Sequence, residues 1–187
     1  AGLVSAALNH AGEAERWLGR AAAYYASRQA HPERQAWIHL ELARIEYRRD
    51  DFGRVQAHVD RALQLVAQMG PGSSTLQAFL YYMIANLCAD TGRVAEGVGY
   101  AQAAAQEFHR HGSTLGEFRA LLTVASLARQ TGDFRAERDA LVQARACYQT
   151  GRLEPYSFES LLGAETHLDW YRGELTGYWR FYRQALT

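Results

Sequence analysis

The sequence predicts an all-α chain, a solenoid of about five antiparallel helix-turn-helix units stacked in single file. Three observations carry this. First, only Pro32, Pro71 and Pro155 interrupt 187 residues, and proline is the residue that breaks helix interiors. Second, the stretches between them are rich in Ala, Leu, Arg, Gln and Glu, which are strong helix formers. Their apolar residues recur at three- and four-residue spacing, as in Leu40, Leu42, Ala43, Ile45 and Tyr47. Third, short turns recur with a period near forty residues. No run of alternating Val, Ile and Thr marks a strand.

The turns are Ala11-Gly12-Glu13-Ala14, Asp50-Asp51-Phe52-Gly53, Thr91-Gly92-Arg93-Val94, Thr131-Gly132-Asp133-Phe134 and Arg172-Gly173-Glu174-Leu175. From Gly12 through Asp50, Gly92 and Gly132 to Gly173 the steps are 38, 42, 40 and 41 residues. Glycine suits a helix end that must turn left-handed, where a Cβ is costly, and Asp tolerates the same conformation. An apolar residue follows two positions later (Ala14, Phe52, Val94, Phe134, Leu175) and is expected to open the second helix and pack back on the first. Twelve positions after each turn residue stand Tyr24, Ala62, Ala104, Ala144 and Ala185, and alanine there lets two helices approach closely.

Taken in order, the units are 1–31, 33–70, 75–112, 115–151 and 156–187, forming one repeat domain over 1–187. The first is truncated at its front. The prolines fall between units, where a residue that stops helices belongs. Because each helix pair cannot bury its apolar face alone, neighbours supply the core, and at least three units are needed. The chain begins Ala1-Gly2, and Leu3 to Leu8 already reads as helix, so we expect a fragment of a larger protein.

Composition narrows the function. The chain is 48% hydrophobic, enough for a core, and its formal net charge is zero. Neutrality argues against direct nucleic-acid contact, which needs basic surplus against phosphates, and gives no support for adhesion to a membrane. No apolar run approaches the ~18 residues that span a bilayer. Cys88 and Cys147 lie on apolar helical stretches outside any CxxC, and read as buried thiols in a reducing cytoplasm. No phosphate-binding glycine loop, HExxH or paired-cysteine motif occurs, so we expect no cofactor, no metal and no catalytic residues. His109 and His111, two apart, point in different directions on a helix and suit no shared ligand.

Leu42-Ala43 with Asp50-Asp51-Phe52 and Ala62-Leu63, and Val124-Ala125 with Gly132-Asp133-Phe134 and Ala144, resemble the tetratricopeptide (TPR) repeat. Ile84-Ala85 with Gly92-Arg93-Val94 and Ala104 fits less closely. The last unit matches in its second helix only, since Glu165-Thr166 stand where an apolar-small pair belongs. The resemblance spans nearly the whole chain, but the period exceeds the family's usual 34 and is nearer the MalT-like repeats of bacterial transcription regulators. Kinesin light chains also use longer units. It implies a right-handed superhelix whose concave groove is lined by the first helix of each unit.

Carried through that register, the groove positions are Trp37, Arg44, Tyr47 and Arg48; Phe79, Tyr82, Asn86 and Asp90; Arg119, Ser126 and Arg129; and His167, Trp170 and Tyr171. Aromatics offer rigid contact area and arginine grips carboxylates with two parallel donors, a chemistry suited to peptides. The proposed binding set is Arg44, Tyr47, Arg48, Tyr82, Asn86, Arg119, Arg129, His167 and Tyr171. Trp37 and Phe79 are equally placed to pack on a neighbouring repeat. The resemblance implies a non-enzymatic, cytoplasmic interaction module, the sensor or scaffold segment of a bacterial regulator, taking a protein, peptide or small effector in the groove. The alternative is an oligomerisation spacer, a homodimer through Trp170, Tyr171, Tyr178, Trp179, Phe181 and Tyr182.

Overall fold

A computed structural model describes residues 11–27, 31–69, 75–151 and 153–171, without the side chains of Ala11, Pro155, Tyr156 and 167–171. Among the described residues every regular element is a helix: α1 (Ala11–Ala26), α2 (Pro32–Tyr47), α3 (Phe52–Ala67), α4 (Thr75–Asp90), α5 (Val94–Arg110), α6 (Thr114–Gln130), α7 (Phe134–Gly151) and α8 (Pro155–Tyr171). Two compact units divide the chain, 1–87 and 88–187, the boundary falling inside α4.

The turn chemistry works at three of the five expected places. Asp50, Gly92 and Gly132 have positive φ of 58°, 76° and 77°. Each closes its helix with two backbone bonds that satisfy otherwise orphaned carbonyls. At Gly132, the Asp133 N–H reaches the Ala128 carbonyl at 2.9 Å and the Gly132 N–H the Arg129 carbonyl at 3.0 Å. The next helix starts at once, because Asp51 and Asp133 accept from the N–H groups of Arg54 and Ala136 at 3.1 and 2.9 Å. Gly112 makes a fourth such turn, φ 68°, between α5 and α6, at a place the forty-residue rhythm does not mark.

Gly12 is a correction. It lies inside α1 and is not left-handed. The buried residues explain why. Ala14 and Leu18 of α1 take the places that Val55 and Val59 hold in α3. That alignment puts Asn9, outside the described residues, opposite Asp50, and the first step of the repeat becomes 41 residues. It also explains why Tyr24 is 52% exposed whereas Ala62, Ala104 and Ala144 are fully buried; Ala21 is the true counterpart of those alanines. Phe134 is a second correction. It opens α7 but is 44% exposed, more than its counterpart Phe52, which is half-buried with its ring 6.1 Å from Tyr47. Gly173 lies outside the described residues.

In the first unit, Ala14 and Leu18 of α1 pack on Ile38, Leu42 and Ile45 of α2, with Ala21, Ala22 and Tyr25 alongside. In the second, α6 lies against both α5 and α7, burying Phe108, Phe118, Leu127 and Leu141. Each such side chain contributes roughly 1.5–3 kcal/mol on leaving water. The misfit Glu165-Thr166 is accommodated chemically: Arg145 of α7 grips the Glu165 carboxylate with two nitrogens, and the buried Thr166 hydroxyl donates to the Leu162 carbonyl at 2.7 Å.

Candidate functional site

The first unit carries the richer part of the expected groove. Arg44 and Arg48 are exposed one turn apart at the end of α2. Arg44 meets Glu41 at 3.0 Å on its own helix, but over half of the Arg44 side chain stays in solvent. So loose a pair is worth well under 1 kcal/mol, and the guanidinium can exchange it for another anion. Tyr47 is half-buried against Phe52. Trp37 and Phe79, on the first helices of successive repeats, set their rings 5.6 Å apart, so the packing alternative describes them. Tyr82 is half-buried. Asn86 is turned inward chemically: its amide donates to the Tyr82 carbonyl one turn back, at 2.8 Å. One N–H of the amide is used in this way, which leaves its second N–H and its oxygen for other partners.

The second unit contributes less. Arg119 is exposed on α6, and Ser126 is half-buried. Arg129 is half-buried at the end of α6. Its guanidinium lies 3.7 Å from the carboxylate of Glu137, which is 1% exposed in the first turn of α7. Glu137 stands where the register places Val55 in α3 and Gly97 in α5. A cation at that distance stabilises a buried carboxylate, so Arg129 contributes to the fold. His167, Trp170 and Tyr171 lie on the last turns of α8 with side chains outside the description, and Tyr178, Trp179, Phe181 and Tyr182 are outside the described residues altogether.

An open furrow of about 930 Å³ runs between α5 and α7. Leu121 and Val124 of α6 form its floor, and Gln102, Gln106, Asp139 and Gln143 form its walls. None of the expected groove residues lines it. The furrow opens on the second-helix side, where the repeat register predicts no binding surface. Its only sequence trace is the small residues Ala105, Ala136 and Ala140 along both walls. At one end Glu117 takes both carboxylate oxygens to His109 Nδ1, each at 3.1 Å. His111 instead faces Glu107, at 3.8 Å, so the two histidines serve different carboxylates.

Titratable groups show two further features. Cys88 and Cys147 are free and buried. Burial pushes the Cys147 thiol up to about 11, helped by the Glu117 charge, and pushes Cys88 up as well. At Cys88 burial outweighs the opposing charge of Arg93, so neither thiol is activated as a nucleophile. Between α2 and α3, His39 and His58 touch through their Nδ1 atoms at 3.1 Å. No group of three or more His, Cys, Asp or Glu that could hold a metal ion occurs among the described residues. No helix among them is long and apolar enough to cross a membrane.

No family model matches the sequence, and no curated protein matches it. Solved structures do. BtubC (BKLC) from P. vanneervenii is similar at TM-score 0.72 and 17% identity, over 100% of this chain and 72% of that one. A putative kinesin light chain of Podosopora anserina with nearly identical TPR-like repeats is similar at TM-score 0.73 and 16% identity, over 98% and 90%. A singly substituted form of that kinesin light chain gives the same score and identity, over 98% and 88%. The fold is that of TPR-like repeats. At such low identity the likeness speaks for architecture alone. These similar structures support TPR-like repeats and give the MalT-like comparison no support.

Proposed function

We propose that this chain is a protein-interaction module that holds a peptide segment of a partner against the first-helix faces, in the groove expected of the repeats. The observation that carries the reading is the first unit's α2 face. Two exposed arginines share α2 with the half-buried rings of Trp37 and Tyr47, on a fold that generally serves as an interaction scaffold. Arginine forks recognise carboxylates and aromatic rings supply rigid contact area, so acidic and aromatic peptides fit best. Arg119 is a further exposed arginine, on α6 of the second compact unit.

The five units over 1–187 act together as one non-catalytic scaffold, and buried free thiols suit a reducing cytoplasm. The finer reading is a helical sensor or scaffold segment of a bacterial transcriptional regulator, following the long period. The second reading is a spacer that self-associates through the aromatic C-terminal repeat; sedimentation of wild type against Trp179→Ala distinguishes it.

The binding reading is tested by selecting linear peptides from a random display library against the purified chain. We expect acidic, aromatic-containing binders whose affinity falls at least tenfold in the Arg44→Glu, Arg48→Glu, Arg119→Glu triple variant. Arg129 is left out of that set, because reversing it would place two carboxylates together in the core. Binders that hold the triple variant as tightly as wild type overturn the reading.

A further inference from the structure

The repeat register makes the His39–His58 contact unusual. His39 stands eleven residues before its turn residue, Asp50, and His58 eight after it. The same offsets from Gly132 give Leu121 and Ala140, and from Gly92 give Tyr81 and Tyr100. Leu121 and Ala140 are 5% and 3% exposed, apolar side chains buried at the matching layer of α6 and α7. In the second repeat the same layer holds two imidazoles, their ring centroids 5.3 Å apart and both half-buried.

A hydrogen bond between two Nδ1 atoms requires one to carry the proton and the other to offer its lone pair. Neutral imidazoles satisfy each other. Once both are protonated no acceptor remains, and two cations face each other at contact distance. We propose that this contact is an acid-opened latch: the neutral pair holds α2 against α3, and double protonation releases them.

The surroundings act on both rings. His39 faces His58 and Arg61 of α3, and burial first, then both neighbours, bring it down to about 4. His58 is lowered too, chiefly by burial and by Arg54, while Glu46 of α2 and Glu15 of α1 oppose the shift. In α4 the stretch 75–87 adds only Tyr81 and Tyr82 as ionisable groups. Both imidazoles are therefore held neutral, and the pair as a whole resists its second proton. With folded values below the unfolded 6.5, the neutral forms are favoured in the fold. Nothing is lost well above pH 6.5. As pH falls below it the unfolded chain gains protons that the folded chain refuses, and stability drops until about pH 4. The latch concerns the α2–α3 joint and holds whether or not the α2 face binds a peptide.

The test borrows the fourth repeat's own solution. The His39→Leu, His58→Ala variant installs the side-chain pair that the fold already packs between α6 and α7. Urea unfolding at pH 7.0 and 4.5 is compared with wild type. For His39 alone, a drop from 6.5 to about 4 limits the loss in folding constant at pH 4.5 to about 80-fold. Screening at a half-exposed ring brings this nearer tenfold. Wild type should lose at least that factor more than the variant between the two pH values, and parallel losses overturn the proposal. His58→Gln, which keeps a hydrogen-bonding amide without a charge, gives the same comparison if the double variant folds poorly. Ring resonances of the seven histidines in the intact chain give a direct reading. Two should titrate below the rest and vanish in the double variant; seven ordinary titrations near 6.5 overturn the proposal.

Discussion

Alanine in place of glycine should move stability in opposite directions at Gly116 and Gly99, two positions a few turns apart in the second unit. Gly116 sits in the first turn of α6, buried under the ring of Phe108 from α5. A Cβ there would lie 2.4 Å from Cδ1 and 2.7 Å from Cε1 and Cγ of that ring. The ring is 1% exposed, so moving it disturbs the buried side chains around it. Either α5 and α6 separate or the ring leaves its rotamer, and overpacking of this kind costs about 1–3 kcal/mol. Alanine returns up to about 1 kcal/mol of helix propensity over glycine, and less in a first turn. The net expectation for Gly116→Ala is a loss of about 1–2 kcal/mol, a drop in Tm of roughly 2–8 °C at this chain length. Gly99 lies within α5, exposed, with nothing within 4 Å of a Cβ. Gly99→Ala should therefore stabilise by about 0.5–1 kcal/mol. Urea titration of both variants beside wild type decides it. A Gly116→Ala protein as stable as wild type would refute the close packing of α5 on α6, and a destabilised Gly99→Ala would refute the helical geometry at that position.

Other expectations follow from the same contacts. Arg129→Ala should destabilise by about 1–3 kcal/mol because it removes a cation 3.7 Å from the buried Glu137 carboxylate, and the double change Arg129→Leu, Glu137→Val should recover most of that loss in chemical denaturation; an additive double variant would show that the two side chains do not depend on each other. Gly132→Ala, at φ 77°, should lose about 1–2 kcal/mol by thermal melting although nothing crowds the site, since a Cβ is strained in a left-handed turn; an unchanged Tm would count against that turn. Both thiols should react with iodoacetamide at pH 7.5 only as fast as the chain unfolds, because burial raises Cys88 and holds Cys147 at about 11; rapid alkylation of the native chain would contradict their burial.

Most of the architecture was legible because helix periodicity and turn chemistry are local. A glycine or aspartate must stand where the backbone turns left-handed, and Asp50, Gly92 and Gly132 are where the turns fall. Gly12 misled because a glycine inside a helix looks the same in sequence as one that ends it, and only the burial of Ala14 and Leu18 resets the register to Asn9. Gly112 escaped because it lies between repeats, where no second pattern marks it. The candidate site was less legible. Periodicity says which face a residue occupies but not what its polar atoms do. Asn86 spends one amide N–H on its own helix, and Arg129 answers a carboxylate eight residues on that sits at a core position. The furrow between α5 and α7 arises from alanines whose significance depends on how far two helices stand apart, a distance no single helix encodes. His39 and His58 are nineteen residues apart and become partners only through the register of one repeat.

The most direct measurement of the binding account is amide hydrogen exchange on the whole chain, alone and saturated with a peptide recovered from the display selection. Added protection confined to α2, α4 and α6, strongest around Arg44 to Arg48, is the predicted footprint. Protection along α5 and α7, with α2 unchanged, would move the binding surface to the second helices and contradict the account.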